Sequence, residues 1–204
     1  LLRQSWAWCL TKVLDAVGWF SLFWGRKFLF DQFGINIKTL ALPLIIIYVL
    51  ADFGSVFGGL LSSALIKSGR SINFSRKITL LICGIIILPV SFATKTDNQW
   101  VAIVLIGVAA AGHQAWSANV FTFVSDIFPK KATASVVGIG GMIGAVAGII
   151  ADFSLGSVLD AKGKEGYFFA FLVAGTLYLI ILGIVHWMMP TMNPLGDDLK
   201  PIKK

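Results

Sequence analysis

Six long apolar stretches fill most of the chain and constrain its fold more than any other feature. They cover residues 6–30, 39–66, 78–94, 100–128, 134–159 and 167–189. A helix needs about 20 apolar residues to cross a bilayer, so most of these stretches can span one, and the third spans with little tilt. Charged residues make up 13% of the chain, against about 25% in a soluble domain. The pattern predicts an all-α membrane protein, a six-transmembrane-helix bundle over residues 1–190.

The distribution of lysine and arginine predicts the orientation of this bundle. One face carries the N-terminus, the loops after the second and fourth stretches, and the tail, with Arg3, Lys67, Arg70, Arg76, Lys77, Lys130, Lys131, Lys200, Lys203 and Lys204. The opposite face carries fewer: Arg26, Lys27, Lys38, Lys95, Lys162 and Lys164. The positive-inside rule places both termini in the cytoplasm. The formal charge of +7 is thus explained by topology and does not indicate a nucleic-acid partner. Residues 191–204 lack periodicity and predict a flexible cytoplasmic tail.

Soluble-enzyme and metal-site signatures are missing from the sequence. Cys9 and Cys83 lie in apolar runs, and His113 and His186 lie on different segments without metal-ligand spacing, so we expect no metal site and no cofactor. The chain opens at LLRQSWAW without an initiating Met or a secretion signal. We therefore expect one half of a longer protein.

The fourth stretch is more polar than a lipid-facing helix. Polar groups at bilayer depth usually face a bundle interior or an aqueous cavity. At about 100° per residue, His113, Gln114 and Ser117 share one arc with Trp116 beside it, and His113 lies near the midplane. Asn119, with Thr122 and Asp126, falls on another face. We expect the first group to face a central cavity, and the second to face a neighbouring helix or the cytoplasmic mouth of the cavity. A purely structural role for His113 and Asn119 in tying helices together stays open.

Asp52 and Asp15 are further acidic residues within apolar stretches. Asp52 is near mid-depth in the second stretch, with Tyr48 and Ser55 on its face. Uptake of a proton or cation at such a carboxylate changes its burial cost and can drive a conformational change, whereas pairing with a base on another helix would only fix packing. Both interpretations stay open. Asp15 is spaced to meet Lys12 on the first helix, and such a pair more often neutralises itself than binds substrate.

The fifth stretch carries Gly140, Gly144 and Gly148 at four-residue spacing. Small residues at this spacing let helix backbones approach closely and allow one helix to slide on another. We expect close helix packing along this stripe.

Several segments resemble one transporter family. The basic loop GGLLSSALIKSGRS is similar to the corresponding loop in the C-terminal half of a major facilitator transporter. The segments KVLDAVGWFSLFWGRKF, YVLADFGSVFGGLLSS and GHQAWSANVFTFVSDIFPKKATASVVGIGGMIGAVAGI resemble the anion:cation symporter branch, and within it the bacterial hexuronate transporters. The resemblance extends to Pro190, and its most specific part is the His-Gln-x-Trp-Ser-x-Asn run. The first segment departs from the family pattern at Ala16, Gly18 and Gly25–Arg26.

The resemblance implies proton-coupled uptake of a sugar acid, such as glucuronate or galacturonate, by alternating access in a bacterial inner membrane. This chain would be the C-terminal half of a major facilitator fold, with its partner bundle, the N-terminal six-helix half, absent. The implied substrate-binding residues are His113, Gln114, Trp116, Ser117 and Asn119. Asp52, Tyr48 and Asp15 are candidates for proton coupling or gating, and the carboxylate clamp is expected in the absent half.

Two other hypotheses stay open on the sequence. A self-contained six-helix protein would work as a homodimer in a structural or receptor role. An intramembrane enzyme would use His113 and Asp52 as an acid–base pair, which requires the two side chains to approach within hydrogen-bond reach.

Overall fold

The chain folds into long α-helices. The computed structural model describes residues 3–200 and 202, and within 15–23 it describes the backbone only. The helices are α1 (Arg3–Phe33), α2 (Ala41–Lys67), α3 (Ile72–Ile87), α4 (Gln99–Ile127), α5 (Lys130–Lys162) and α6 (Gly166–Met188), with 3₁₀ turns at Leu88–Lys95 and Gly163–Glu165. No β-strand occurs in this described part. The predicted all-α architecture is confirmed.

Four described stretches are long and apolar enough to cross a membrane: Ala41–Lys67, Ile72–Lys95, Gln99–Ile127 and Lys130–Met188. The last of these contains both α5 and α6. The protein is thus a multi-pass membrane protein, while its assignment as half of a major facilitator bundle stays a prediction.

Local sequence signals set where the helices begin and end. The Ser71 side chain accepts a hydrogen bond from the Phe74 N–H at 3.2 Å, so α3 begins at Ile72 instead of near residue 78. Asn98 caps α4 in the same way, accepting from the Trp100 N–H at 2.9 Å. Side-chain oxygens at this position satisfy N–H groups that the first helical turn leaves free. Pro89 then accounts for the change from α-helix to 3₁₀ geometry after Ile87, because proline cannot donate to the helical ladder.

Helix α4 lies at the centre of the fold. It packs most extensively against α2 and also contacts α3 and α1. At the α2–α4 crossing, a methyl group added to Gly58 would lie 2.6 Å from the Ala115 Cβ, and one added to Gly54 would overlap the Ala111 carbonyl. The two backbones therefore meet with almost no side chain between them, the arrangement that small residues permit in membranes.

The glycine stripe of α5 packs against α1. The Trp8 indole lies in the space beside Gly140 and donates from Nε1 to the Val136 carbonyl at 2.9 Å. One turn further along, a methyl group on Gly144 would come within 3.0 Å of the Lys12 carbonyl. In the part of the stripe from Gly140 to Gly144, the glycines thus make room for α1.

Large apolar side chains remain exposed on every helix of the bundle, most densely on α2, α5 and α6. On α2 they include Leu42, Ile45, Val49, Phe53, Val56, Phe57 and Leu60, and on α5 Ile139, Met142, Val146, Ile149, Ile150 and Phe153. Exposed apolar patches of this extent mark contact with lipid or with another protein surface.

The segment after α6 is folded against the bundle, in contrast to the flexible tail expected from its composition. Met192 and Leu195 are buried, and the Leu195 N–H donates to the Ile127 carbonyl at the end of α4 at 2.8 Å. Lys131 lies 3.7 Å from Asp197. Two buried apolar side chains in an otherwise polar segment give it enough contact to dock.

Candidate functional site

A buried aromatic cluster links the middle of α4 to α6. His113 Nδ1 lies 2.7 Å from the Tyr178 Oη, and both residues are about 1% exposed. The Trp116 ring packs edge-on against Tyr178, with centroids 5.1 Å apart. His113 is fourteen residues from either end of α4, which places it about 21 Å along the helix at 1.5 Å per residue, near the midplane. The cluster thus fixes α6 against α4 at mid-depth.

Trp116 brings into this cluster an indole N–H that makes no hydrogen bond with the described residues. Its side chain is fully buried, and among the described residues no acceptor lies within hydrogen-bond reach of the indole Nε1. A buried donor without an acceptor is costly, so such groups in native proteins call for a water, a ligand or a strained site as explanation.

Asn119 joins three helices. Its Nδ2 donates to the Gly58 carbonyl on α2 at 3.0 Å and to the Ala115 carbonyl at 2.9 Å. Its Oδ1 accepts from Arg76 Nη1 of α3 at 3.4 Å. In this conformation the Asn119 side chain holds α2 and α3 to α4.

Arg76 is the centre of a polar network near the end of the bundle that carries the basic loop. Its Nε donates to Asp126 Oδ2 at 2.8 Å, and its Nη1 donates to Ser62 Oγ at 2.8 Å. The arginine and aspartate side chains are only 11% and 20% exposed. We call Arg76, Asp126, Ser62 and Asn119 the Arg76 network. Since its members lie on α2, α3 and α4, it makes these helices one mechanical unit at this end.

Gln114 and Ser117 lie on a different edge of α4 from Asn119. Both side chains are half-buried. Gly112 faces α3, since a methyl group there would meet Cys83 and Ile87. Gln114 lies about 200° further round the helix at 100° per residue, so it points away from α3. On the edge of α4 that carries Gln114 and Ser117, Ile106 packs near Gly25 of α1, and Gly107 packs against α2. Gln114 and Ser117 therefore lie where α4 is flanked by α1 and α2.

Asp52 and Tyr48 lie on the corresponding edge of α2. Both side chains are exposed, Tyr48 by 47%. Phe57, which lines the small cavity between α2 and α3, is about 140° round the helix from Asp52 at 100° per residue. The carboxylate thus points away from α3, on the side of the α2–α4 pair where Gln114 lies. By this helical geometry Asp52, Tyr48, Gln114 and Ser117 share one edge of the α2–α4 pair, which we call the open edge.

His113 and Trp116 are turned away from this open edge and toward α6. His113 is bonded to Tyr178 while Asp52 is exposed on α2. The acid–base pair considered from the sequence is therefore not assembled in this structure.

Lys12 is a second buried cation, 8% exposed. Its Nζ lies 4.4 Å from the centroid of Phe121 on α4 and 5.7 Å from that of Trp8. Cation–π contacts of this kind gain strength where water is excluded. The predicted partner Asp15 lies among the residues whose side chains are outside the described part, so its gating role stays a prediction.

At the opposite end of the bundle, hydrogen bonds tie α1 to α5 and α6. Trp24 Nε1 donates to Asp152 Oδ1 at 2.8 Å. Tyr167 Oη donates to Asp31 Oδ2 at 2.6 Å, and Lys27 Nζ bonds the same oxygen at 2.7 Å. Asp152 is thus held by a tryptophan of α1 at this end.

Sequence reasoning missed two members of these clusters. Tyr178 lies in the apolar run of α6, where a lone hydroxyl is the only signal. Arg76 was counted among the topogenic basic residues of its loop. Its place one turn inside α3, after the Ser71 cap, was the clue that it enters the bundle.

Comparison with known proteins gives the chain its relatives. It matches no family model. It is 26% identical to the hexuronate transporter of Escherichia coli (strain K12) over 94% of this chain and 45% of that protein. It is 25% identical to the hexuronate transporter of Bacillus subtilis (strain 168), over 88% of this chain and 43% of that protein. A probable galactarate/D-glucarate transporter, GudP of Bacillus subtilis (strain 168), is also 25% identical, over 86% of this chain and 38% of that protein.

The relatives are transporters and not enzymes, as predicted. The chain spans less than half the length of these curated relatives. The resemblance to bacterial hexuronate transporters that was inferred from the sequence is confirmed over nearly the whole of this chain.

Proposed function

We propose that this chain forms the C-terminal six-helix half of a secondary active transporter that takes up a sugar acid with protons by alternating access. The observation that carries the proposal is the open edge, where polar side chains of α2 and α4 lie near the midplane of helices that are otherwise apolar. Polar groups at this depth mark a substrate or ion pathway. The hexuronate and galactarate/glucarate transporters among the relatives indicate the class of substrate.

Gln114 and Ser117 suit a polyhydroxylated substrate. An amide offers both donors and acceptors, and a hydroxyl does the same in a smaller volume. A sugar acid presents hydroxyls that alternate between both roles, so the two side chains replace part of its hydration shell. Their half-burial leaves them accessible from the open edge.

His113, Trp116 and Asn119 form a supporting layer in this conformation. The first two pack on Tyr178, and Asn119 bonds the backbone of α2. We propose that they set the position of the α4 turn that presents Gln114 and Ser117. The Trp116 Nε1 becomes a direct contact only when α4 rotates relative to α6 during the transport cycle.

Asp52 is the proposed coupling group of this half. Its carboxylate is exposed on the membrane-spanning part of α2, where a charge facing an apolar surface is costly. Protonation removes that cost and favours closure of the surface over it. Tyr48, one turn away on the same edge, offers a hydroxyl for the same pathway.

The exposed apolar faces of α2 and α5 leave surface for a second bundle. Two six-helix halves of a major facilitator fold share a substrate site between them. A partner half on these faces would close the open edge into a cavity and supply the cation that binds the substrate carboxylate. Both termini of this chain would lie in the cytoplasm of a bacterial cell.

The test is uptake of labelled glucuronate, galacturonate, glucarate and galactarate by cells that express the complete protein. We expect concentrative uptake of at least one of the four. Gln114→Ala should lower uptake by about tenfold or more. The substrate would lose one uncharged hydrogen bond, and its own polar group would be left desolvated without a partner. Ser125→Ala is the matched control, since Ser125 is exposed on the same helix. Membrane abundance should be unchanged in both variants.

Asp52→Asn separates coupling from binding. We expect it to abolish concentrative uptake while counterflow of preloaded substrate continues. Wild-type pH dependence in Asp52→Asn would overturn the coupling role. Normal uptake in Gln114→Ala and Ser117→Ala would remove the open edge as the substrate site, and a protein that forms functional homodimers without a second bundle would replace the transporter proposal.

A further inference from the structure

A groove on the membrane-facing surface lies between α3 and α6, away from the open edge. Its volume is about 500 Å³. Most of its wall is apolar, and one end is polar. The lining residues are Asn73, Phe74, Lys77, Ile78, Leu81, Leu179, Leu182, Gly183 and His186.

The polar end lies at the depth of lipid headgroups. Lys77 is in the second turn of α3, directly after the basic loop, and His186 is in the last turn of α6. The neighbouring Trp187 is 74% exposed, as expected for a residue at the membrane–water boundary. From His186 to Leu179 the groove runs about 10 Å deeper at 1.5 Å per residue. The groove therefore has a headgroup end and an acyl-chain end.

The ammonium group of Lys77 is held in place without being neutralised. Its Nζ donates to the carbonyls of Met189 at 2.6 Å and Pro190 at 2.7 Å, and lies 3.2 Å from His186 Nδ1. Among the side chains that the structure describes, no carboxylate is within ion-pair distance of this lysine. Two carbonyls and an imidazole orient the charge, and none of them carries a negative charge to balance it. An anion from outside the chain can.

His186 and Asn73 add hydrogen-bonding groups to the same end. The His186 Nδ1 lies 3.2 Å from the Lys77 ammonium, and an Nδ1 that accepts there leaves the Nε2–H to donate elsewhere. The Asn73 Oδ1 is buried, and no donor among the described residues reaches it. The end of the groove thus combines a cation, an N–H donor and an acceptor that needs a hydroxyl or ammonium donor.

We propose that this groove binds one anionic glycerophospholipid, with its phosphate accepting from His186 Nε2 and lying beside the Lys77 charge, a headgroup hydroxyl donating to Asn73, and an acyl chain along Leu81, Leu179 and Leu182. Basic pockets between transmembrane helices recognise anionic headgroups in this way. Phosphatidylglycerol carries the required phosphate, hydroxyls and acyl chains. The site is separate from sugar-acid transport and does not depend on it.

Native mass spectrometry of the complete protein in mild detergent tests the proposal, with palmitoyl-oleoyl phosphatidylglycerol and phosphatidylcholine as probes. Gly183→Leu places a bulky side chain in the acyl part of the groove, at a position where nothing lies within 4 Å of the added Cβ. Gly141→Leu makes the same change at an open position on α5. Lys77→Gln removes the charge, and Lys67→Gln is its control on the exposed end of α2.

We expect one tightly held phosphatidylglycerol per protein, and phosphatidylcholine bound about tenfold more weakly. Gly183→Leu and Lys77→Gln should each weaken phosphatidylglycerol binding about tenfold, while the two controls leave it unchanged. Equal binding of both lipids would overturn the proposal. Loss in Lys77→Gln with full binding in Gly183→Leu would also overturn it, because surface charge alone then explains the attraction. So would a dimer whose interface covers the groove with no lipid bound.

Discussion

Separating Arg76 from Asp126 should loosen the bundle at the end that carries the basic loop. The perturbation is a double-mutant cycle with Asp126→Asn, Arg76→Gln and the double variant. Asp126→Asn keeps the shape of the side chain and removes only its charge, whereas Arg76→Gln also shortens the side chain. Arg76→Gln loses the bonds to Asp126 and Ser62, whereas Asp126→Asn leaves Arg76 bonded to Ser62. We expect Arg76→Gln to be the more destabilising single change.

The magnitude follows from distance and burial. Unit charges 2.8 Å apart attract by about 6 kcal/mol at an effective dielectric constant of 20, before desolvation. Removing one partner of a buried pair costs about 3–5 kcal/mol. Exposure of 11% and 20% admits some water, so we expect about 3 kcal/mol for Arg76→Gln and about 2 kcal/mol for Asp126→Asn. The double variant should cost about 3 kcal/mol, a coupling of about 2 kcal/mol.

SDS unfolding of the purified complete protein, followed by tryptophan fluorescence, measures these free energies. Lys131→Gln and Asp197→Asn form the control cycle, because that pair is 3.7 Å apart with side chains 61% and 81% exposed. Its coupling should stay below about 0.5 kcal/mol. Additive effects of Arg76→Gln and Asp126→Asn would refute the reasoning, since the two charges would then not stabilise each other.

Three further changes test other contacts of the bundle. Gly140→Ala should cost about 1–3 kcal/mol of unfolding free energy through overlap with the Trp8 indole, while Gly138→Ala, with open space around it, should be neutral; equal effects would contradict the close α1–α5 contact. Tyr178→Phe should cost about 1 kcal/mol by losing its bond to His113, and an unchanged unfolding midpoint would contradict it. Leu195→Ala should speed limited proteolysis of the tail, in contrast to Leu199→Ala at an exposed position, and equal digestion rates would show that the tail is not docked.

The helical architecture was predictable because membrane spans have a strong local signal. Apolar length located the helices to within a few residues at most ends, and the largest shifts are at α3, where a cap and a proline act. Ser71 extended α3 toward the basic loop, and Pro89 changed its other end to 3₁₀ geometry. The docking of the tail was not predictable from the sequence. Met192 and Leu195 are isolated apolar residues without a helical or strand spacing, and their contacts depend on where α4 ends.

Which polar side chains share a cavity depended on how the helices pack. Helical spacing separates Asn119 from Gln114, because the angle between them is fixed by the backbone, and the structure turns Asn119 toward α2 and α3. It also grouped His113 with Gln114, although the structure turns His113 toward Tyr178 on α6. Sequence spacing gives relative directions on one helix, but the neighbour in each direction comes from the tertiary fold.

The crossing of α2 and α4 at Gly54 and Gly58 has a consequence for the stiffness of the molecule. Side chains between two packed helices can change rotamer, which lets the helices shift against each other. Few side chains lie between α2 and α4, because the α2 backbone at Gly54 and Gly58 packs directly on Ala111 and Ala115 of α4. A slide of even a fraction of a turn would drive one backbone into the next methyl group. We therefore expect α2 and α4 to resist relative sliding at this crossing and to move together.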